Sequence, residues 1–201
     1  MTHAGLAGLL TGLSLIVAIG AQNAYVLRQG LLRSHVGAVV AVCAAADVVL
    51  ILAGVSGIGA VVDHAHWLLT AVRWLGAAFL VWYAVGSLRR AARPGALSAA
   101  GGSPAESRAR VVAKASALTW LNPHVYLDTV LLLGSIANSH GPGGRWWFAV
   151  GAVAASLLWF SGLGFGARLL APLLARPRAW QVLDVAIGLV MLVIAARLAL
   201  G

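Results

Sequence analysis

The chain has 201 residues, of which 61% are hydrophobic and only 9% carry a charge, and its mean hydropathy is +0.93. In a soluble globular domain about a quarter of the residues are charged. This composition therefore excludes a soluble globular domain. Six apolar runs are each about as long as the roughly 20 residues that cross a bilayer as a helix: 4–27, 36–58, 67–88, 111–137, 146–171 and 179–200. We therefore predict an all-α polytopic membrane protein with six transmembrane helices.

The formal net charge of +9 is distributed unevenly along the chain. Most of the basic residues lie in three alternate connections, at 28–35, 89–110 and 168–178. Because the cytoplasmic loops of membrane proteins are enriched in Lys and Arg, these connections are predicted to be cytoplasmic and both termini external. Membrane topology thus explains the basic excess, and no nucleic-acid partner is expected.

The first apolar run contains two amides, Gln22 and Asn23, before its first charge at Arg28. A side-chain amide in hydrocarbon costs free energy unless a partner or a trapped water satisfies it. Two interpretations are open at this point. Either these residues already lie among the lipid headgroups, or a polar interior within the membrane requires them.

The second run carries a carboxylate, Asp47, near its centre. A charged side chain at that depth costs at least about 2.5 kcal/mol on insertion scales. The structural explanation is a buried ion pair, or a protonated acid that holds two helices together. We favour a functional role, because ionisable residues inside membranes usually mark substrate or ion pathways.

The segment 89–110 is rich in Ala, Gly, Ser, Pro and Arg and is predicted to be a flexible cytoplasmic linker. It divides the chain into two three-span halves, 1–88 and 111–201. Residues 75–89 resemble residues 183–198, and each stretch closes its half. Halves with an odd number of spans enter the membrane in opposite directions, so we predict two inverted three-helix repeats, a frequent transporter architecture.

The fourth run contains a dense group of polar residues. Asn122 followed by Pro123 is typical of a helix start, and a helix that restarts inside a span presents free N–H groups. His124 and Asp128 are four residues apart and share a helical face, and Asn122 is related to Tyr126 in the same way. A proline kink satisfied by neighbouring groups is the structural alternative. The density of polar groups favours a site.

Other polar residues have simpler explanations. Asp184 begins the last run close to Arg176 and Arg178, which predicts an interfacial ion pair and a mild effect of substitution. The stretch DHAH at 63–66 resembles a metal-ligand cluster, but it falls in an external loop and is interpreted as a solvated loop. No metal or other cofactor is expected.

Four stretches together form a recognisable pattern: GAQNAYVLRQG at 20–30, ADVVLILAG at 46–54, LTWLNPHVYLDTVLLLG at 118–134 and GRWWFAVGAVAASLLWF at 144–160. With them, the chain resembles the LysE/ArgO family of bacterial basic amino-acid exporters over essentially its whole length. The resemblance implies export of L-lysine or L-arginine across the plasma (inner) membrane, driven by the proton-motive force. The sequence departs from the family at Ala21, where the family has proline, and at Asp184, where relatives tend to have asparagine.

Together, these residues suggest one polar cavity to which both halves contribute. Carboxylates would bind a cationic side chain, and a helix N-terminus with amides would bind an α-carboxylate. The predicted substrate-binding residues are Gln22, Asn23, Asp47, Asn122, Pro123, His124, Tyr126 and Asp128.

Other functions have less support in the sequence. A divalent-metal or other cation exporter would need ligands that converge at membrane depth, whereas Asp47, His124, Asp128 and Cys43 are scattered along the chain. An enzyme is not expected, because the last two runs contain no His that could act as a base for the GVSG motif at 54–57, and nothing in the sequence indicates that His124 does so. The chain also lacks the phosphate-binding loop of an ATP-driven pump. The sequence does not decide between lysine and arginine as the substrate, nor whether the protein forms a homo-oligomer.

Overall fold

The computed structural model describes residues 2–17, 20–57, 66–92, 106–170 and 177–200. Numbered in chain order, the helices are α1 (Thr2–Ile16), α2 (Ala21–Leu32), α3 (Val36–Val55), α4 (His66–Ala91), α5 (Arg108–Trp120), α6 (Pro123–Val125), α7 (Gly134–Ser139), α8 (Gly141–Gly166) and α9 (Pro177–Leu200). A π-helical segment, Tyr126–Leu133, joins α6 to α7, and a 3₁₀ turn, Ala167–Leu170, follows α8. The described part of the chain contains no strand, which confirms the all-α prediction.

Four stretches of the described residues are long and apolar enough to cross a membrane: Val36–Val55, Thr70–Ala91, Gly141–Leu169 and Arg178–Leu200. The pair α1 and α2 would make a fifth span, bent by 84°. The predicted fourth span is not among them, because α5 ends at Trp120 and the chain restarts as shorter helices from Pro123. The described residues therefore contain four or five candidate spans, and the six predicted spans are not confirmed.

Large apolar side chains cover the outer faces of these helices. Leu10, Trp67, Leu158 and Leu189 are each more than half exposed. In water such a continuous apolar exterior would drive aggregation, whereas lipid tails are an apolar solvent for it. The chain is a multi-pass membrane protein.

Four pairings of helical elements organise the interior. Helix α1 packs along α8, α4 packs along α9, and α3 lies against both α8 and the π-helical segment. The largest buried cluster includes Tyr25 and Tyr83, whose rings meet edge to face with centroids 5.8 Å apart. Cys43 lies fully buried in the same cluster, as expected of a small packing residue. These contacts place α3, with Asp47, at the centre of the bundle.

Both ends of the predicted linker are helical. Helix α4 continues through Ala91, and α5 begins at Arg108 with the Ser107 hydroxyl accepting a hydrogen bond from the backbone N–H of Arg110. A Ser at this position satisfies one of the N–H groups that a helix start leaves without an intrahelical partner. The central part of the linker, 93–105, lies outside the described residues.

Candidate functional site

The helix of the first apolar run is broken just before Gln22 and Asn23. Helix α1 ends at Ile16 and α2 restarts at Ala21, with Gly20 extended between them at φ −114° and ψ 177°. The side-chain amide of Asn23 donates a hydrogen bond of 2.7 Å to the carbonyl of Ile16. Because the last carbonyls of a helix have no intrahelical donor, this bond stabilises the end of α1. Ala21 in place of proline therefore does not prevent the break.

The fourth run is broken in a similar way. Asn122 is extended and caps the next helix, since its side-chain oxygen accepts a 3.2 Å hydrogen bond from the N–H of His124, and Pro123 follows as the first helical residue. The Tyr126 hydroxyl donates a 2.9 Å hydrogen bond to the carbonyl of Trp120, the last residue of α5. The predicted helix start is confirmed, but the N–H of His124 already has a partner.

The two breaks border a common cavity of about 320 Å³. This volume is at the lower end of the range, about 300–1,000 Å³, that is usual for small-molecule sites. Six of the eight predicted site residues line the cavity: Gln22, Asn23, Asp47, Asn122, His124 and Asp128. Pro123 and Tyr126 are not among its lining residues, and their contacts give them a role in shaping the break.

The two acids in the cavity differ in their surroundings. Asp47 is only 6% exposed, and its Oδ2 accepts a 2.7 Å hydrogen bond from the buried hydroxyl of Ser156 on α8. Asp128 is exposed at the cavity, in the π-helical segment. Such segments are rare and often occur at functional sites. No ion pair among the described residues involves either acid, so neither serves as a structural salt bridge there.

Asp184 differs from its predicted environment. It is fully buried, and its Oδ1 accepts hydrogen bonds of 3.3 Å from both Arg28 and Arg90. The prediction of Arg178 as its ion-pair partner is wrong, since the partners are Arg28 and Arg90, and Arg176 lies outside the described residues. Sequence reasoning considered only neighbours along the chain, and it placed Arg28 in a loop. Arg28 is instead a buried residue of α2, and α9 packs against both α2 and α4.

Arg197, in the last turn of α9, also lines the cavity and was missed by the sequence-based prediction. The available signal was its position within an apolar run, where an ionisable residue indicates function by default.

Metal-ion binding has little support in this arrangement. Across the described ranges, no group of three or more His, Cys, Asp and Glu side chains is placed to hold a metal ion. His64 lies outside the described residues, so the interpretation of the DHAH stretch as a solvated loop stays a prediction.

The chain is similar to known proteins over nearly its whole length. The LysE type translocator family matches residues 13–201. The Lysine exporter LysE of Corynebacterium diphtheriae is 40% identical, covering 96% of this chain and 97% of that protein. The Arginine exporter protein ArgO of an Enterobacter species is 42% identical, covering 96% of this chain and 91% of that protein. No solved structure matches the chain. The chain therefore belongs to the LysE type translocator family.

Proposed function

We propose that this protein is a secondary active exporter of the basic amino acids lysine and arginine, which moves them out of the cell across the plasma (inner) membrane in exchange for protons. The observation that carries this proposal is one cavity, between two helix breaks, that holds Asp47 and Asp128 with no ion pair to either acid among the described residues. The names of its relatives, a lysine exporter and an arginine exporter, support the choice of substrate.

The chemistry of the cavity suits such a substrate. Lysine and arginine side chains are cationic at neutral pH, and a carboxylate at membrane depth offsets the cost of their dehydration. A carboxylate that binds either the cationic substrate or a proton, but not both, couples the two fluxes. Asp128 is our preferred exchanger because it is exposed at the cavity, and Asp47 is the second candidate.

We further propose six spans arranged as two inverted repeats, 1–88 and 111–201, joined by a cytoplasmic linker at 89–110. The matching helix breaks support this arrangement. In the first half, Asn23 donates to the last carbonyl of α1, and in the second half Tyr126 donates to the last carbonyl of α5.

The closest helix contacts support the same relation between the halves. A Cβ added at Gly30 of α2 would lie 2.3 Å from the carbonyl oxygen of Gly164 in α8. A Cβ added at Gly134 of α7 would lie 2.7 Å from the carbonyl oxygen of Gly54 in α3. The first contact joins the first proposed span to the fifth, and the second contact joins the fourth to the second. If the two halves are exchanged, the first span takes the place of the fourth and the second that of the fifth, so one contact becomes the other. Only glycine permits so close an approach of two backbones.

A counterflow assay in proteoliposomes tests the proposed substrate. Vesicles loaded with unlabelled arginine should accumulate labelled arginine and lysine, but not a labelled neutral amino acid. Vesicles loaded with unlabelled cadmium and given labelled cadmium outside test the alternative of a metal exporter. Accumulation of cadmium without accumulation of either amino acid would replace our proposal by that alternative.

A further inference from the structure

The cavity contains a cationic side chain, which is unexpected in a site for cations. Arg197 lines it together with Asp47 and Asp128. Within the described residues, the Arg197 guanidinium makes no hydrogen bond and no ion pair. By contrast, Arg73 donates to the carbonyls of Leu198 and Ala199 at the end of α9. The Arg197 guanidinium is therefore available to a ligand.

We propose that Arg197 binds the α-carboxylate of the substrate and makes the cavity selective for amino acids over amines. The inference rests on the proposed function and adds a specificity-determining residue to it. Arginine and carboxylate groups form short, often bidentate, charge-assisted hydrogen bonds. A guanidinium repels a cationic group, so its position in the cavity favours a ligand that also carries an anionic group.

The charges of the cavity and of a basic amino acid match group by group. Lysine and arginine each carry two cationic groups, the α-ammonium and the side chain, and one carboxylate. Among its described lining residues, the cavity has two carboxylates, Asp47 and Asp128, and one guanidinium, Arg197. A diamine such as cadaverine or agmatine has the two cationic groups but lacks the carboxylate that would satisfy Arg197.

One alternative receptor for the α-carboxylate, the helix start at Pro123, is already occupied in part. The helix that starts at Pro123 offers the N–H of His124, but that N–H donates to the side-chain oxygen of Asn122. The guanidinium of Arg197 has no such internal partner among the described residues. This difference favours Arg197 over the helix start.

Competition in the counterflow assay tests the inference. Unlabelled arginine, lysine, agmatine and cadaverine are compared as inhibitors of labelled arginine uptake by the wild-type protein. We expect agmatine and cadaverine to inhibit roughly ten- to a hundredfold more weakly than the matching amino acids, the range typical of a lost charge-assisted hydrogen bond. Equal inhibition by agmatine and arginine in the wild type would overturn the inference without any variant.

The variant Arg197→Gln should lose most of this preference for the amino acid over the amine, and Arg197→Lys should retain part of it. Arg110→Gln, at an exposed position at the start of α5, serves as the control and should keep the full preference. If Arg197→Gln keeps the full preference for the amino acid over the amine, the inference is overturned and the proposed function is not. A wild-type protein that transports neither lysine nor arginine would overturn the proposed function, and this inference with it.

Discussion

Three acids occur in the apolar runs of this chain, and their partners separate them. Asp184 is fully buried and receives hydrogen bonds from two arginines. Asp47 receives one from the hydroxyl of Ser156, and Asp128 is exposed at the cavity. An acid neutralised by guanidinium groups is committed to holding helices together. An acid without a cationic partner can bind a substrate cation or a proton, so we propose a transport role for Asp47 and Asp128 and a structural role for Asp184.

Removing the charge of either cavity acid should stop transport. We expect Asp47→Asn or Asp128→Asn to lower arginine export to background while the protein reaches the membrane in near-normal amounts, because Asn keeps the shape but cannot bind a proton or pair with a cation. Efflux from arginine-loaded proteoliposomes measures the effect. Glu106→Gln, which removes a carboxylate paired with Lys114 outside the cavity, is the control. Normal export by a cavity variant would make that acid structural.

Removing the charge of Asp184 should instead lower stability. Asp184→Asn leaves Arg28, whose side chain is only 10% exposed, without its counter-charge. Breaking a buried ion pair by removing one partner typically costs about 3 kcal/mol or more. Thermal unfolding of the purified protein in detergent measures this loss. Since Glu106 and Lys114 are partly exposed, the same change at Glu106 should have little effect. Equal unfolding temperatures for the two variants would contradict the structural role.

At the scale of the elements, two interrupted helices border the cavity. Each interruption ends a helix inside an apolar run, and a side chain from beyond the break donates to the last carbonyl. The second break follows from its sequence, because Asn122 and Pro123 are the favoured cap and first residues of a helix. The first break has neither, since Gly20 has no side chain to cap with and Ala21 lacks the ring of proline.

Proline should be accepted at the start of α2. Ala21 is the first helical residue, and Gly20 before it is extended, as proline requires. We expect Ala21→Pro to stabilise the protein by about 0.4–1 kcal/mol, because it restricts the unfolded chain at a compatible position. Ala24→Pro is the matched contrast, since the Ala24 N–H donates to the carbonyl of Gly20, and it should cost about 3 kcal/mol. Unfolding in detergent compares the two. A destabilised Ala21→Pro would contradict the assigned helix start.

At the scale of the whole molecule, the charge of the proposed substrates determines the driving force that their export would need. Moving one cation out of a cell with a negative interior costs about 2.3 kcal/mol for each 100 mV. Uncoupled flow of lysine or arginine would therefore run inward. If substrate leaves on an ionised acid and the carrier returns protonated, each cycle exchanges one positive charge for another, and only the pH gradient drives export.

Gradients imposed on proteoliposomes distinguish the effect of the pH gradient from that of the membrane potential. With labelled arginine inside, an acidic exterior should accelerate efflux, and a membrane potential at equal pH should change it little. A strong response to the potential would exclude one-for-one exchange. Efflux indifferent to both gradients would rule out proton coupling, and Asp128→Asn serves as the control for leakage.

The sequence by itself determined the class of the protein, its family and most of its cavity. Apolar runs of membrane-spanning length exclude a soluble fold, and polar residues inside them are costly enough to indicate a site. Local chemistry also predicted the break at Asn122, because capping depends on adjacent residues. Only the tertiary structure decided contacts between distant residues. It paired Asp184 with Arg28 and Arg90, bonded Asp47 to Ser156, and placed Arg197 at the cavity. The bonded side chains lie more than 90 positions apart, so no pattern along the chain encodes which of them meet.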